Sequence, residues 1–179
     1  MRCLDVCVME LLVLCLLVVA VDTSFLSSNE DVDDAKRIKR AACNPGTWCP
    51  YGGRQYVFVW DPRQWAYAQL YCQALGGTLA VVQNRALNDF LRSLSWRMDA
   101  WIGFSDAQYV STVSDSTDGV WLWVNSERVR FTNWCKGEPN NYGGKQHCAV
   151  TNYNGENCWD DHDCALSRPY FCERKPPQT

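Results

Sequence analysis

Eight cysteines between residues 43 and 172 constrain this chain more than any other feature. The chain has 11 cysteines, and three of them lie within its first twenty residues. The remaining eight form an even set: Cys43, Cys49, Cys72, Cys135, Cys148, Cys158, Cys164 and Cys172. An even set in a domain of this size predicts a secreted fold held by disulfides. A zinc site is disfavoured, because the cysteine spacings are wider than those of paired zinc ligands.

The first forty residues are typical of segments that are removed from a secreted precursor. Arg2 precedes the apolar run Leu11–Ala20, which is short for a membrane span and is followed by Asp22. This predicts a signal peptide over 1–20, with a single membrane anchor as the less favoured alternative. Residues 21–40 are acidic and end in the basic run Arg37–Arg40, which predicts a cleaved propeptide rather than a charged linker. The mature domain would then cover 41–179.

The overall charge and the reactive side chains exclude two classes of function. A formal net charge of −3 gives no electrostatic reason to expect nucleic acid as a partner. The chain has two histidines, His147 and His162, and no serine or thiol lies in a recognisable nucleophile motif. We therefore expect a binding protein and not an enzyme.

Two helices are predicted early in the mature domain. The first follows a strand over Gln55–Trp60 and is expected to begin at Pro62, capped by Asp61. It should end at Gly76–Gly77. Its inward face is Trp65, Ala68, Cys72 and Leu75. The second helix is predicted over Asn84–Arg97, with an inward face of Leu87, Phe90, Leu91 and Leu94.

Short strands and one long irregular segment follow the helices. The strand candidates are Ala100–Phe104, Val120–Val124, His147–Tyr153 and Tyr170–Glu173. Two helices followed by short strands predict an α+β domain. The segment Thr132–Gln146 shows neither periodicity, and an irregular stretch of that length in a compact domain is usually functional.

Four short motifs occur in an order that resembles C-type lectin-like domains. They are WIGF from Trp101, VWLWVN from Val120, EPN from Glu138 and CWDD from Cys158. The resemblance covers 43–174, and Cys172 closes the domain. It implies an α+β fold with two helices, short antiparallel sheets and a long calcium-binding loop, stapled by disulfides.

The resemblance also implies a set of disulfides. It pairs Cys72 with Cys172 and Cys148 with Cys164, and it adds Cys135 with Cys158, a bridge found in fish lectins and type II antifreeze proteins. Cys43 is then left with Cys49. The family usually has a cysteine where this chain has Gln55, so an unformed Cys43–Cys49 pair could instead link two chains.

Five residues match the calcium and carbohydrate ligands of such lectins. They are Glu138, Asn140, Gln146, Asp160 and Asp161. The resemblance also implies a cis peptide bond before Pro139, which turns the side chains of Glu138 and Asn140 toward one ion. Gln146 stands where the family usually has Glu, and Asp160 where it usually has Asn. The two departures preserve the number of carboxylates, so Ca²⁺ should still be attracted.

In these lectins each of two neighbouring sugar hydroxyls donates to a carboxylate and accepts from an amide. Glu138 and Asn140 would serve one hydroxyl, and Asp160 and Gln146 the other with acid and amide exchanged. In the family EPN marks mannose, fucose and N-acetylglucosamine, whereas QPD marks galactose. We therefore expect a mannose-type lectin of innate defence that recognises microbial glycans, with galactose as the alternative.

Two other functions compete with sugar binding. Ice binding, as in type II antifreeze proteins, shares the precursor layout, but a further bridge of those proteins is missing because Ala107 and His147 stand at its positions. A domain that has lost calcium and binds protein is the third hypothesis. One weak sugar site needs multivalency to be useful, which would require a homo-oligomer, although no collagen stalk or coiled coil is seen in the sequence.

Overall fold

A computed structural model describes residues 43, 46–107 and 119–177 of the chain. The predicted signal peptide and propeptide lie outside these residues. The described helices are α1 (Trp65–Ala74) and α2 (Arg85–Leu94). The described strands are β1 (Cys49–Tyr51), β2 (Arg54–Arg63), β3 (Thr78–Leu79), β4 (Ala100–Ser105), β5 (Leu122–Trp123), β6 (Gln146–Thr151), β7 (Trp159–Asp163) and β8 (Arg168–Arg174). Neither of these helices has the length and apolar character needed to cross a membrane.

The strands form one sheet in the order β1-β2-β8-β4-β6-β7, with β3 added to β8 and β5 added to β4. All pairings are antiparallel except that of β4 with β8. The chain therefore has the predicted α+β architecture. The strand pair that matters for function is β6 with β7, in which Ala149 lies opposite Asp161 and Val150 opposite Asp160.

Helix α1 begins later than the sequence predicts. Strand β2 continues through Asp61 and Pro62 to Arg63, which pairs with Arg168 of β8 after a bulge. The Asp61 carboxylate accepts from Arg63 Nη2 at 2.6 Å and does not cap the helix. The helix starts at Trp65, whose backbone N–H donates to the Cys164 carbonyl. The prediction of a capped start at Pro62 was wrong because strand pairing there prevails over the capping signal.

Helix α2 lies at the predicted position but is shorter than predicted. Asn84 caps its first turn by accepting from the Leu87 N–H at 2.8 Å. The helix ends at Leu94 rather than Arg97, because Trp96 (φ +50°) and Arg97 (φ +69°) have left-handed backbone conformations. Its inward face is as predicted, with Leu87 and Leu91 buried and Phe90 and Leu94 packed against the core.

Aromatic side chains fill the core on the side of the sheet that carries the long loop. Trp123, Trp159 and Phe104 are buried and lie within 6 Å of one another by ring centroids. Trp121 and Trp134 pack against this cluster from its edge. Large rings at an edge fix the position of the loop that passes over them, and that loop is the irregular segment of the sequence.

The structure contains three of the four expected disulfides. They join Cys72 with Cys172, Cys135 with Cys158 and Cys148 with Cys164. The fourth prediction is not realised, because Cys43 and Cys49 are both free thiols here. The Cys49 thiol is buried and donates to the Thr47 carbonyl at 3.7 Å. Burial and the neighbouring Cys43 raise the pKa of Cys49 to about 12, which keeps the thiol protonated.

Candidate functional site

The start of the long loop is tied to the start of β7. The Cys135 N–H donates to the Trp159 carbonyl at 2.8 Å, and the Trp159 N–H donates to the Asn133 carbonyl at 2.8 Å. The Cys135–Cys158 disulfide closes the same junction. The Glu138 N–H then donates to the Cys135 carbonyl, which forms a tight turn. These bonds bring Glu138 beside the acidic residues of β7.

Asp161 holds the EPN turn through its backbone. This residue is fully buried, and its two carboxylate oxygens accept from the N–H groups of Asn140 at 3.0 Å and Asn141 at 2.7 Å. The Glu138–Pro139 peptide bond is cis, as the resemblance implied. A buried carboxylate paired with two backbone donors is a strong local anchor. Asp161 therefore fixes the loop whether or not an ion is bound.

Three carboxylates meet at this point. Oxygens of Glu138, Asp160 and Asp161 all lie within 4.8 Å of one another. Glu138 Oε2 and Asp160 Oδ1 are buried and have no hydrogen-bond partner among the described residues. Buried carboxylate oxygens without donors are unfavourable unless a cation or a proton joins them. Calcium prefers such oxygen ligands, so the residues present fit the ion that the family implies.

The electrostatics of the cluster reflect the crowding of negative charge. Burial, together with the nearby Asp160 and Asp161, raises the pKa of Glu138 to about 7. A carboxyl group with this pKa is half protonated near neutral pH when no cation is present. A divalent cation would displace that proton, because it neutralises the charges that hold the proton in place.

The two predicted amide ligands, Asn140 and Gln146, are also close together, but their side-chain oxygens contact a backbone N–H. The carbonyl oxygens of Asn140 and Gln146 both accept from the Tyr142 N–H, at 2.8 Å and 2.6 Å. The Gln146 N–H donates to Asn141 Oδ1 at 2.9 Å. The structure thus groups the five predicted ligands into three clustered carboxylates and two amides that brace the loop. Asn140, Gln146 and Asp161 line one cleft of about 320 Å³.

This cleft is also lined by residues that are not among the five predicted ligands, including Asp106, Gly119, Trp121 and Asn141. Asp106 is buried and lies 3.0 Å from Nδ1 of His147, with burial raising its pKa. Trp121, which packs against the aromatic core, also borders the cleft. Asp106 directly follows β4, and an acid at the end of a buried strand is a signal that could have marked it. No comparable feature of the sequence marks Trp121 as a residue that lines the cleft.

A chain of polar contacts runs from Asp160 away from the cluster. Asp160 Oδ2 lies 3.0 Å from Nε2 of His162, and Nδ1 of His162 lies 3.0 Å from Nη2 of Arg168. Arg168 Nη1 in turn contacts the Asp99 carboxylate. Burial lowers the pKa of His162, and the Arg168 charge lowers it further, so the imidazole is neutral at pH 7.

The stability of the metal-free domain should fall as the pH rises. Glu173 is buried, and burial raises its pKa to about 7, as for Glu138. Since both groups bind protons more tightly in the folded state, their stabilising effect is complete below about pH 4.5 and lost by about pH 7. We expect a lower melting temperature near pH 8 than near pH 5 in chelator, and a calcium-induced increase that is largest near pH 8.

The substitution Glu173→Gln serves as a matched control for this prediction. It removes one of the two raised carboxyl groups without touching the acidic cluster. The pH dependence in chelator should become shallower, while the calcium-induced increase in melting temperature should be unchanged. A metal-free domain that is equally stable at both pH values would contradict the assignment.

The sequence and structure were then compared with known proteins. The family model described as the lectin C-type domain matches residues 61–174. Ladderlectin of Oncorhynchus mykiss is 35% identical over 130 residues, which are 70% of this chain and 64% of ladderlectin. The chain thus spans less than two thirds of that relative. The galactose-specific lectin nattectin of Thalassophryne nattereri is 29% identical, over 73% of this chain and 79% of nattectin.

A solved structure supports the same fold. The structure of herring type II antifreeze protein superimposes with a TM-score of 0.64 at 27% identity. The superposition covers 75% of this chain and all of the antifreeze protein. The residues matched by the family model, 61–174, include the carboxylate cluster and the long loop.

Proposed function

Because the chain belongs to the family of C-type lectin domains, we propose that it is a calcium-dependent lectin that binds mannose-type sugars through its EPN loop. The members of this family bind carbohydrates and are not enzymes, which confirms the expectation that this protein does not catalyse a reaction. Calcium dependence and the preference for mannose are both part of this proposal. The observation that carries them is the cluster of Glu138, Asp160 and Asp161 with two buried, unpaired oxygens.

The side chains of the loop and of β7 have different roles in binding. Glu138 Oε2 and Asp160 Oδ1 have no donors and would hold the cation, while Asp161 keeps the loop in place through Asn140 and Asn141. Bound calcium would supply open coordination positions for two neighbouring hydroxyls of a sugar. Asn140 and Gln146 offer amide N–H donors at the same cleft, because their carbonyl oxygens already accept from Tyr142.

The preference for mannose rests on the order of acid and amide in the EPN turn. Glu138 comes before Asn140, which is the order of mannose-type family members. The relative nattectin is named as galactose-specific, and the exchange at Gln146 and Asp160 leaves galactose as the competing sugar. Competition between free mannose and free galactose decides between the two sugars.

Retention on immobilised sugars tests the proposal. We expect the mature domain to bind a mannose resin in millimolar calcium and to elute with a chelator, since extracellular sites of this kind have affinities of roughly 0.1–1 mM. Free mannose should displace the protein better than free galactose. The variant Asp161→Asn should not bind, whereas Glu173→Gln should bind normally. Calorimetry that detects no calcium binding by the wild type would exclude the proposal.

Ice binding is the second candidate, and the superposition on herring type II antifreeze protein favours it. Thermal hysteresis measured with and without calcium separates the two functions. Hysteresis without sugar retention would favour ice binding, and sugar retention without hysteresis would favour the lectin. A third result, in which neither activity is found, would point to a calcium-independent protein-binding domain.

We also propose that the protein is secreted and acts on microbial glycans in innate defence. The proposal rests on the signal-like run Leu11–Ala20, the basic run Arg37–Arg40 and the three disulfides of the domain. Single sugar sites bind weakly, so useful avidity needs several domains together. The free thiol of Cys43, which is only half-buried, offers one way to join two chains into a homo-oligomer.

A further inference from the structure

We propose that His162 is a positioning residue that fixes the Asp160 carboxylate and makes the calcium site depend on an acid at position 160. This inference rests on the proposed calcium site and extends it. Asp160 is one of the two positions where the chain departs from the family. The structure offers a physical reason for that departure in the contacts behind the carboxylate.

The position of the proton on the His162 ring follows from the contact with Arg168. An arginine can only donate, so Nδ1 of His162 must accept from Arg168 Nη2 at 3.0 Å. The proton of the neutral ring is then on Nε2, which lies 3.0 Å from Asp160 Oδ2. Nε2 is buried and makes no well-aligned hydrogen bond in the described part of the chain, and the charged group beside it there is Asp160. His162 therefore presents an N–H to position 160.

The surroundings of His162 prevent it from reversing this arrangement. Its side chain is 13% exposed, and its ring lies 5.5 Å from the Tyr153 ring. Arg168 is held on its far side by Asp99 and lies over the Trp101 ring at 5.8 Å. Arg168 is fixed as a donor. A proton on Nδ1 of the imidazole would therefore point at an N–H of Arg168, so the ring keeps its proton on Nε2.

This arrangement selects an acid over an amide at position 160. Asp160 can direct Oδ2 to His162 and keep Oδ1, which is buried and unpaired, for the cation. An asparagine has one side-chain oxygen. If that oxygen faced the cation, its NH₂ group would face the His162 N–H. If it faced His162, the NH₂ group would face the cation. Either orientation loses an essential contact.

A set of variants tests the inference through calcium affinity, measured by calorimetry on the mature domain. Changes of residues behind a metal ligand typically cost 10–100-fold in affinity. His162→Phe keeps the ring packing against Tyr153 and removes the N–H, so we expect a loss of roughly 10-fold or more. His162→Gln restores a donor and an acceptor and should recover most of the affinity. Asp160→Asn should lose at least as much as His162→Phe.

Two double variants give results that a packing role would not produce. Asp160→Asn with His162→Phe should bind calcium no more weakly than Asp160→Asn alone, because the facing donor is gone. Asp160→Asn with Arg168→Met should bind more tightly than Asp160→Asn alone, because the imidazole can then carry its proton on Nδ1 and accept at Nε2. Near-ultraviolet circular dichroism and metal-free melting temperatures show whether each variant is folded.

The outcomes separate this inference from the proposed function. If the wild type binds calcium and His162→Phe binds it equally well, the positioning role is overturned and the calcium site stands. Losses that multiply in the double variants would likewise overturn the inference, since they mark independent effects. If the wild type binds no calcium, the proposed function fails and the inference fails with it. If His162→Phe does not fold, the comparison of Asp160→Asn with and without Arg168→Met decides the question alone.

Discussion

Replacing Cys72 and Cys172 together by alanine is expected to lower the free energy of unfolding by about 4.7 kcal/mol, which is the chain-entropy value for a closed loop of this size. The two residues are 100 positions apart and join α1 to β8. Both residues are fully buried in the structure. Domains of this kind are stable by only 5–15 kcal/mol, and the variant should therefore be partly unfolded at 37 °C. Guanidinium unfolding monitored by tryptophan fluorescence measures the change.

The Cys135–Cys158 bridge provides the matched comparison. Its sequence separation is 23 residues, for which the same model gives about 3.4 kcal/mol. The bridge closes the junction that delivers Glu138 to β7, so its removal should also abolish calcium binding in molecules that remain folded. Folded molecules without Cys72–Cys172 should still bind calcium. Equal stability losses in the two variants would contradict the loop-size argument.

Much of the fold could be predicted because its signals are local or covalent. The aromatic and β-branched run Gln55–Trp60 lies within β2, and the inward face of α2 follows directly from Leu87 and Leu91. The Cys72–Cys172 bridge could be named only through the resemblance, since eight cysteines allow many pairings. Pairing over 100 residues leaves no trace in the nearby sequence.

The misplaced start of α1 has a physical cause, which is long-range contact. Asp61 and Pro62 carry a strong helix-start signal, yet pairing of Arg63 with Arg168 keeps this stretch in β2. The Cys43–Cys49 bridge was predicted only from what the other pairs left over, and in the structure the two thiols are neighbours but are not joined. Local propensity decides an element only where tertiary pairing does not compete with it.

The candidate site shows the same division between local and distant signals. The EPN motif marks Glu138 and Asn140 because three adjacent letters carry it. The roles of His162 and Arg168 are not visible in the sequence, since each residue is an ordinary polar position in a strand. Only the fold brings Arg168, at the start of β8, against His162 of β7 and so places both behind Asp160. Residues that act through another residue are therefore the hardest to predict from a single sequence.

Exchanging acid and amide at positions 146 and 160 should show that the two departures from the family compensate for each other. At saturating calcium, Gln146→Glu alone leaves the second sugar hydroxyl with two acceptors and no amide donor. Asp160→Asn alone leaves it with two amides and no carboxylate. Each unpaired group costs about 1–3 kcal/mol, so we expect sugar affinity to fall by roughly 100-fold in each single variant. Glycan-array signals and retention on immobilised mannose measure the loss.

The double variant restores one acid and one amide, and it should bind sugar within roughly tenfold of the wild type. The remaining deficit comes from the N–H of His162, which faces position 160 at 3.0 Å and suits Asp160 better than an asparagine. Adding His162→Phe to the double variant should therefore improve sugar binding, although the same change weakens the wild type. Losses that add in free energy from the single variants to the double would refute compensation, because each position would then act on the sugar independently of the other.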